Sequence, residues 1–189
     1  MTETWARPLG VSFADALTVR RISDGRARAF YERHHSYMPY LDRVTVHNHG
    51  AVLDGDLVGA ITYAMPRRTA GVEGVDHRDT VEVARVAVGI DMPNLASCFM
   101  AASQDTFVAR WCAGRGVELL LTFVHADYDG SMFAALRGKG WRRVRHAESR
   151  PSGNRENRGI EAEQKELWTC PVETTDKQTR LRRYATDCS

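Results

Sequence analysis

The stretch from Thr80 to Val144 constrains this chain most. A polar-studded strand, a Pro-Asn loop, a long helix, an apolar strand and a Gly-Ser turn follow one another there. That order is a βαβα unit. The first strand reads Val81-Glu82-Val83-Ala84-Arg85-Val86-Ala87-Val88, so apolar residues at 81, 83, 86 and 88 frame a Glu and an Arg that are hard to bury unpaired. Counting along a regular strand, Glu82 and Arg85 fall on opposite faces. Met92-Pro93-Asn94-Leu95-Ala96-Ser97 leads a helix to about Arg115, and the strand Val117–Val124 follows. The helix N-terminus can hold an anionic group, and the acids and hydroxyls of Ala126–Phe133 gather at the neighbouring carboxyl end.

The flanking sequence completes a mixed architecture. Ala16–Ile22 reads as a strand, and Ser23 and Asp24 are good caps for a helix from Gly25 to His35, which Pro39 stops. Ala51-Val52-Leu53, Asp54-Gly55 and Asp56–Tyr63 give a strong hairpin signal. Pro66–Asp79 is polar and Gly-rich and predicts a loop between strands. A short helix is expected from Ser131 to Arg137, ended by Gly138 and Gly140. A basic strand Trp141–Arg145 and a last strand Lys165–Val172 come after it. The order is that of an α+β acyltransferase-like mixed sheet flanked by helices, rather than a doubly wound parallel one.

With 189 residues, 43% hydrophobic and 26% charged, the chain suits one domain over 1–172, with 173–189 as a charged tail. Arginines far outnumber lysines; this suits phosphate contact and also follows from GC-rich coding. Cys98, Cys112, Cys170 and Cys188 form no CxxC pair and read as reduced and structural. No apolar run approaches the roughly 20 residues of a membrane span. The expected location is therefore cytoplasmic, with no membrane partner.

Several segments together resemble the Gcn5-related N-acetyltransferase (GNAT) superfamily and, more narrowly, the phage Mu Mom family of DNA-modification proteins. They are His34-His35-Ser36-Tyr37, Glu82-Val83-Ala84-Arg85-Val86, Pro93-Asn94-Leu95-Ala96-Ser97, Thr122-Phe123-Val124 with Asp127 and Gly130-Ser131, and Gly140-Trp141. The resemblance covers about residues 16–172. It implies a GNAT-like fold and conversion of adenine N6 in DNA to a carbamoylmethyl form that protects against restriction. The donor is left open, acetyl-CoA or another acyl or glycyl-type donor. The usual GNAT loop is Arg/Gln-x-x-Gly-x-Gly/Ala, which Met92–Ser97 does not match. The alternatives are an acetyl-CoA-dependent transferase acting on a small amine or modified nucleobase, and a non-catalytic DNA-binding module.

The candidate residues each have two readings. Arg85 is either a clamp on a phosphate or donor carboxylate, or half of a structural ion pair. His34, His35 and Tyr37 can move a proton or hold a metal, or simply end a helix; the resemblance places this patch in the active cleft. Asp127 can accept a proton from the attacking amine or hold adenine N6, whereas Asp129 or Ser131 can cap the next helix. Asn94 and Ser97 either cap the long helix or share in binding an anion there; Ala96 and Ser131 complete the expected donor-binding set. Arg67, Arg68, Arg142, Arg143 and Arg145, with the tail around Arg180–Tyr184, form the expected nucleic-acid contacts. His47, His49 and His77 could add ligands for iron or zinc, although their spacing matches no known metal pattern.

Overall fold

The structure is a computed structural model that describes residues 16–34, 44–66, 75–125, 132, 136–148 and 164–172. The chain enters through β1 (Thr18–Arg21) and α1 (Asp24–His34), then makes β2 (Thr45–Leu53) and β3 (Asp56–Ala64). It continues through β4 (Thr80–Val88), α2 (Leu95–Phe107), β5 (Leu119–His125), β6 (Arg142–Glu148) and β7 (Gln164–Pro171). All the strands join one sheet in the order β1-β2-β3-β4-β5-β7-β6. Only β4 and β5 pair in parallel. The helix α2 makes the crossover between them that a parallel pair requires.

Local chemistry fixes the joints. Asp54 and Gly55 both take positive φ, 52° and 93°, as a two-residue hairpin turn demands. The helices cover opposite faces of the sheet. Ala27, Phe30 and Tyr31 of α1 pack with Ile22, Ala60 and Ala87. Leu95, Phe99, Met100 and Phe107 of α2 pack with Ile61, Tyr63, Val81 and Val83. At Gly59 a Cβ would come within 3.1 Å of both the Phe99 ring and Ala51, so the absent side chain lets α2 sit close. Among the described residues, no helix is long and apolar enough to cross a membrane.

Three elements differ from the sequence expectation. The long helix is regular only to Phe107, and Val108–Cys112 widens into a π-helical turn, with Ala113 N–H bonded to Val108 O at 3.2 Å. Through this turn Trp111 stacks on Phe107 with centroids 5.0 Å apart, and Phe107 stacks on Tyr63 at 3.8 Å. Of the helix expected from Ser131 to Arg137, Met132 is helical, and a 3₁₀ turn over Leu136–Lys139 runs past Gly138. The basic strand is longer than expected and forms an edge, with β7 inserted between it and β5.

α2 also buries Ser103 and Gln104, polar residues that periodicity does not assign to its apolar face. Each has partners. Gln104 Oε1 accepts from Trp141 Nε1 at 2.8 Å. Ser103 Oγ bonds His49 Nδ1 at 2.8 Å and the Tyr63 hydroxyl at 2.9 Å, while His49 Nε2 meets His47 Nε2 at 2.8 Å. Burial, with help from the positive charge of His47 and Arg110, lowers the His49 pKa to about 4. Because the unfolded chain takes up this proton near pH 6.5, the stabilising effect is full above that pH and is lost as pH falls toward 4. Urea unfolding at pH 7 and pH 4.5 should show a loss on the order of 2 kcal/mol from this group. The His49→Gln protein should lack that part of the pH dependence.

Candidate active site

β4 and β5 part early. They pair only through Thr80–Leu119, Val81–Leu120 and Glu82–Leu121. Thr122 Oγ1 then takes the Val83 carbonyl at 2.8 Å, a side chain standing where a strand neighbour would. Beyond that point β5 stays paired with β7 as far as His125, and β4 stays paired with β3 through Val88. The separation opens the sheet between the carboxyl halves of its two parallel strands, where ligands of α/β sheets enter.

Arg85 lies beside this opening, on the α1 face. Thr62 pairs with Arg85 and Tyr63 pairs with Val83, so Ala84 is an extra residue in β4. The bulge resets the alternation. Glu82 pairs with Ala64, two residues from Thr62, and so faces the same way as Arg85. The opposite-face expectation from a regular strand is therefore incorrect. Both side chains are buried.

A directed polar chain runs beneath Arg85. Asn48 Nδ2 donates to Asp24 Oδ1 at 2.5 Å and Thr62 Oγ1 donates to Asn48 Oδ1 at 2.6 Å. Thr62 Oγ1 is thereby left to accept from the Tyr31 hydroxyl at 2.8 Å. The Arg85 guanidinium lies 5.5 Å from the centre of the Tyr31 ring. Burial raises the Tyr31 pKa, opposed by the Thr62 bond and by Arg85, so Tyr31 stays a neutral donor.

One helical turn after Tyr31, the exposed His34 ring packs against Phe30, with centroids 4.5 Å apart. It also lies on Gly89, where a Cβ would come 2.9 Å from the ring. The last turn of α1 thus runs along the carboxyl half of β4 and brings His34 and Arg85 to the same seam. Asn94 occupies the N-cap position of α2 in the left-handed region (φ 63°) without a side-chain cap bond. Ser97 Oγ donates back to Asn94 O at 3.0 Å, so neither polar side chain caps the helix amides. Ala96 and Ser97 are half-buried in that first turn.

His35, Tyr37, Arg67, Arg68, Asp127, Asp129, Ser131 and the C-terminal arginines lie outside the described residues. Arg145 lies on β6, and its side chain is likewise outside the description. Arg142 is exposed on β6, whereas the exposed Arg143 pairs with Glu166 Oε1 at 2.8 Å. The histidines do not converge: His77 Nε2 bonds Pro66 O at 2.8 Å, away from the His47–His49 pair. Among the described residues no three His, Cys, Asp or Glu side chains are placed to hold a metal. Cys112 is buried, and its thiol pKa is pushed up to about 12, an inert thiol as expected. Sequence reasoning missed Tyr31, Asn48 and Thr62. The polar positions of the hairpin strands were their only signal, and their partners lie far apart in the chain.

No family model matches this chain, and no curated protein matches it in sequence. Solved structures do match in fold. The ribosomal-protein-S18-alanine N-acetyltransferase of Escherichia coli aligns with a TM-score of 0.56 at 14% identity, over 84% of this chain and 96% of that one. A putative acetyltransferase of Salmonella typhimurium, solved with its cofactor acetyl-CoA, gives 0.57 at 15% identity, over 84% and 95%. The ribosomal-protein-alanine N-acetyltransferase of Brucella melitensis gives 0.57 at 12%, over 82% and 99%. The fold is the GNAT acetyltransferase fold. Set on that fold, the loop comes nearer the usual GNAT pattern when it is read from Asp91 rather than Met92. Asn94, with its positive φ, then stands at the first Gly, and Ala96 stands at the Gly/Ala position. Asp91 in place of Arg or Gln remains a departure from the GNAT pattern.

The packing of His34 on Gly89 gives a direct check. Gly89→Ala should push the flexible imidazole off the end of β4 at a stability cost below about 1 kcal/mol. The His34 ring resonances should shift while the melting temperature barely moves. Tyr31→Phe should instead cost about 1 kcal/mol by removing a buried donor.

Proposed function

We propose that this protein is an N-acyltransferase that moves an acetyl group from acetyl-CoA to the amine of a small molecule or modified nucleobase. The observation that carries this reading is the early parting of β4 and β5, directly before a helix whose first-turn amides no side chain caps. The parted half of β4 offers backbone groups to an extended, amide-bearing donor arm, as a strand edge does to a peptide. The open turn at Asn94–Ser97 suits the donor's phosphates. The Salmonella protein of the same fold binds acetyl-CoA as its cofactor, which supports the choice of donor.

The chemistry is balanced. The amine nitrogen attacks the thioester carbonyl carbon, the C–S bond breaks, and the amide and free CoA thiol leave. The amine gives up one proton and the thiolate gains one. His34, packed on Gly89 beside the end of β4, is the proposed base. Arg85 on the bulged strand is proposed to steady developing negative charge. His35, Tyr37, Asp127 and Ser131 stay in the proposed site as residues that follow α1 and β5 in sequence.

A second reading, transfer to adenine N6 in DNA, draws on the exposed arginines of β6. One experiment separates the two. The purified protein is titrated with acetyl-CoA and then incubated with an amine panel or with plasmid DNA, and the products are identified by mass. Acetyl-CoA binding and an acetylated amine are expected. Asn94→Gly should keep donor affinity, and Asn94→Val should lower it by about tenfold, equivalent to about 1.4 kcal/mol. Arg85→Ala should lower turnover. No binding of acetyl-CoA together with a mass-shifted deoxyadenosine would replace this reading with the DNA one.

A further inference from the structure

A second pocket lies at the other end of the sheet. α2 starts near the carboxyl end of β4 and returns to the start of β5, which is in register with the start of β4. Its carboxyl end therefore sits at the amino ends of both strands, away from their parting. There a cleft of about 430 Å³ opens between β1, β2 and the π-helical turn. Arg20 and Arg21 of β1, His47 and His49 of β2, and Arg110 and Arg115 of the turn line it.

The charge in this pocket is one-sided. Among the described residues no carboxylate lines it, and none of its four arginines has an ion-pair partner. Like charges held together without a counter-ion repel, so the arrangement favours a bound anion. It is also built rather than loose. Tyr63, Phe107 and Trp111 stack in sequence, and the Arg115 guanidinium lies 4.9 Å from the Trp111 ring centre, on the end of that stack. Arg115 Nη1 donates to Trp111 O at 2.8 Å, which fixes the head further. The π-helical turn that carries Arg110 and Trp111 is a rare form that occurs frequently at functional sites. His49 is buried and anchored through its Nδ1 to Ser103 Oγ, and it holds His47 by the bond between the two Nε2 atoms.

We propose that this pocket binds a small phosphate-bearing ligand, with Arg21, Arg110 and His47 as its principal donors. The Arg21 and Arg110 guanidinium groups, whose charges both act on the His47–His49 pair, match the multiple oxygens of a phosphate or pyrophosphate group. The volume suits a ligand up to about nucleotide size. Phe107 and Arg115 both pack on the Trp111 ring, so that ring is already engaged, and the proposed site reads phosphate rather than base. The site does not depend on the donor assigned to the β4–β5 opening.

The test uses the full chain and inorganic pyrophosphate, followed through the His47 and His49 ring resonances with saturating acetyl-CoA present. Those resonances are local to the pocket, so binding at the start of α2 does not mimic the result. Saturable shifts are expected, with affinity at least about tenfold weaker in Arg21→Ala and Arg110→Gln and unchanged in Arg142→Ala. Circular dichroism confirms that each variant is folded, and the two arginine variants report independently. AMP should bind within a few-fold of inorganic phosphate. Absent shifts, shifts unchanged in both arginine variants, or a DNA duplex that binds more tightly than pyrophosphate through the same residues would each overturn the proposal.

Discussion

Everything in this fold is arranged around one short parallel pairing. β4 and β5 share three residue pairs and then separate, although each keeps its other neighbour to the end. A sheet opened in its middle loses ladder bonds, and the loss is limited by the buried Thr122 hydroxyl on Val83 O. Antiparallel strands on both flanks hold the two halves, so the gap is a fixed opening rather than a frayed end. α1 and the start of α2 then frame it from opposite faces.

β2 places polar groups on both faces of the sheet. Asn48 points toward α1 and joins Asp24, Thr62 and Tyr31, while His47 and His49 on either side point toward α2 and Ser103. Each buried network is anchored by a helix, so the two helices are oriented by directional bonds as well as by apolar contact. This is the physical meaning of the His-Asn-His sequence. Among the described residues it gathers no third metal-ligating group, and its partners lie on three other elements, α1, β3 and α2.

Much of the fold was legible because its signals are local. The Asp-Gly hairpin, the long helix and the apolar strand of β5 all stand at or near their expected places, and the mixed-sheet class follows from their order. What was not legible depends on contacts between distant residues. The insertion of β7 between β5 and β6 leaves no trace in periodicity. Asn94 hides a glycine-like conformation behind a common residue, and the buried Ser103 and Gln104 look like surface positions until His49 and Trp141 are seen beside them. His34 and Arg85 were found from sequence because a lone imidazole at a helix end and a charge among valines are conspicuous, but their shared seam comes only from the packing of α1 on β4.

The bulge at Ala84 means that β4 is read in two frames. Upstream of it, odd-numbered Val81 and Val83 face α2; downstream, odd-numbered Arg85 and Ala87 face α1. If the same residues paired with β3 in one unbroken frame, the carboxyl half of the strand would turn inside out, sending a guanidinium into the apolar layer and valines into the seam. Loss of Ala84 alone, by contrast, would leave both halves facing as they do, because Val83 and Arg85 already pair with consecutive residues of β3, so a strand one residue shorter at this point would still present Arg85 to α1.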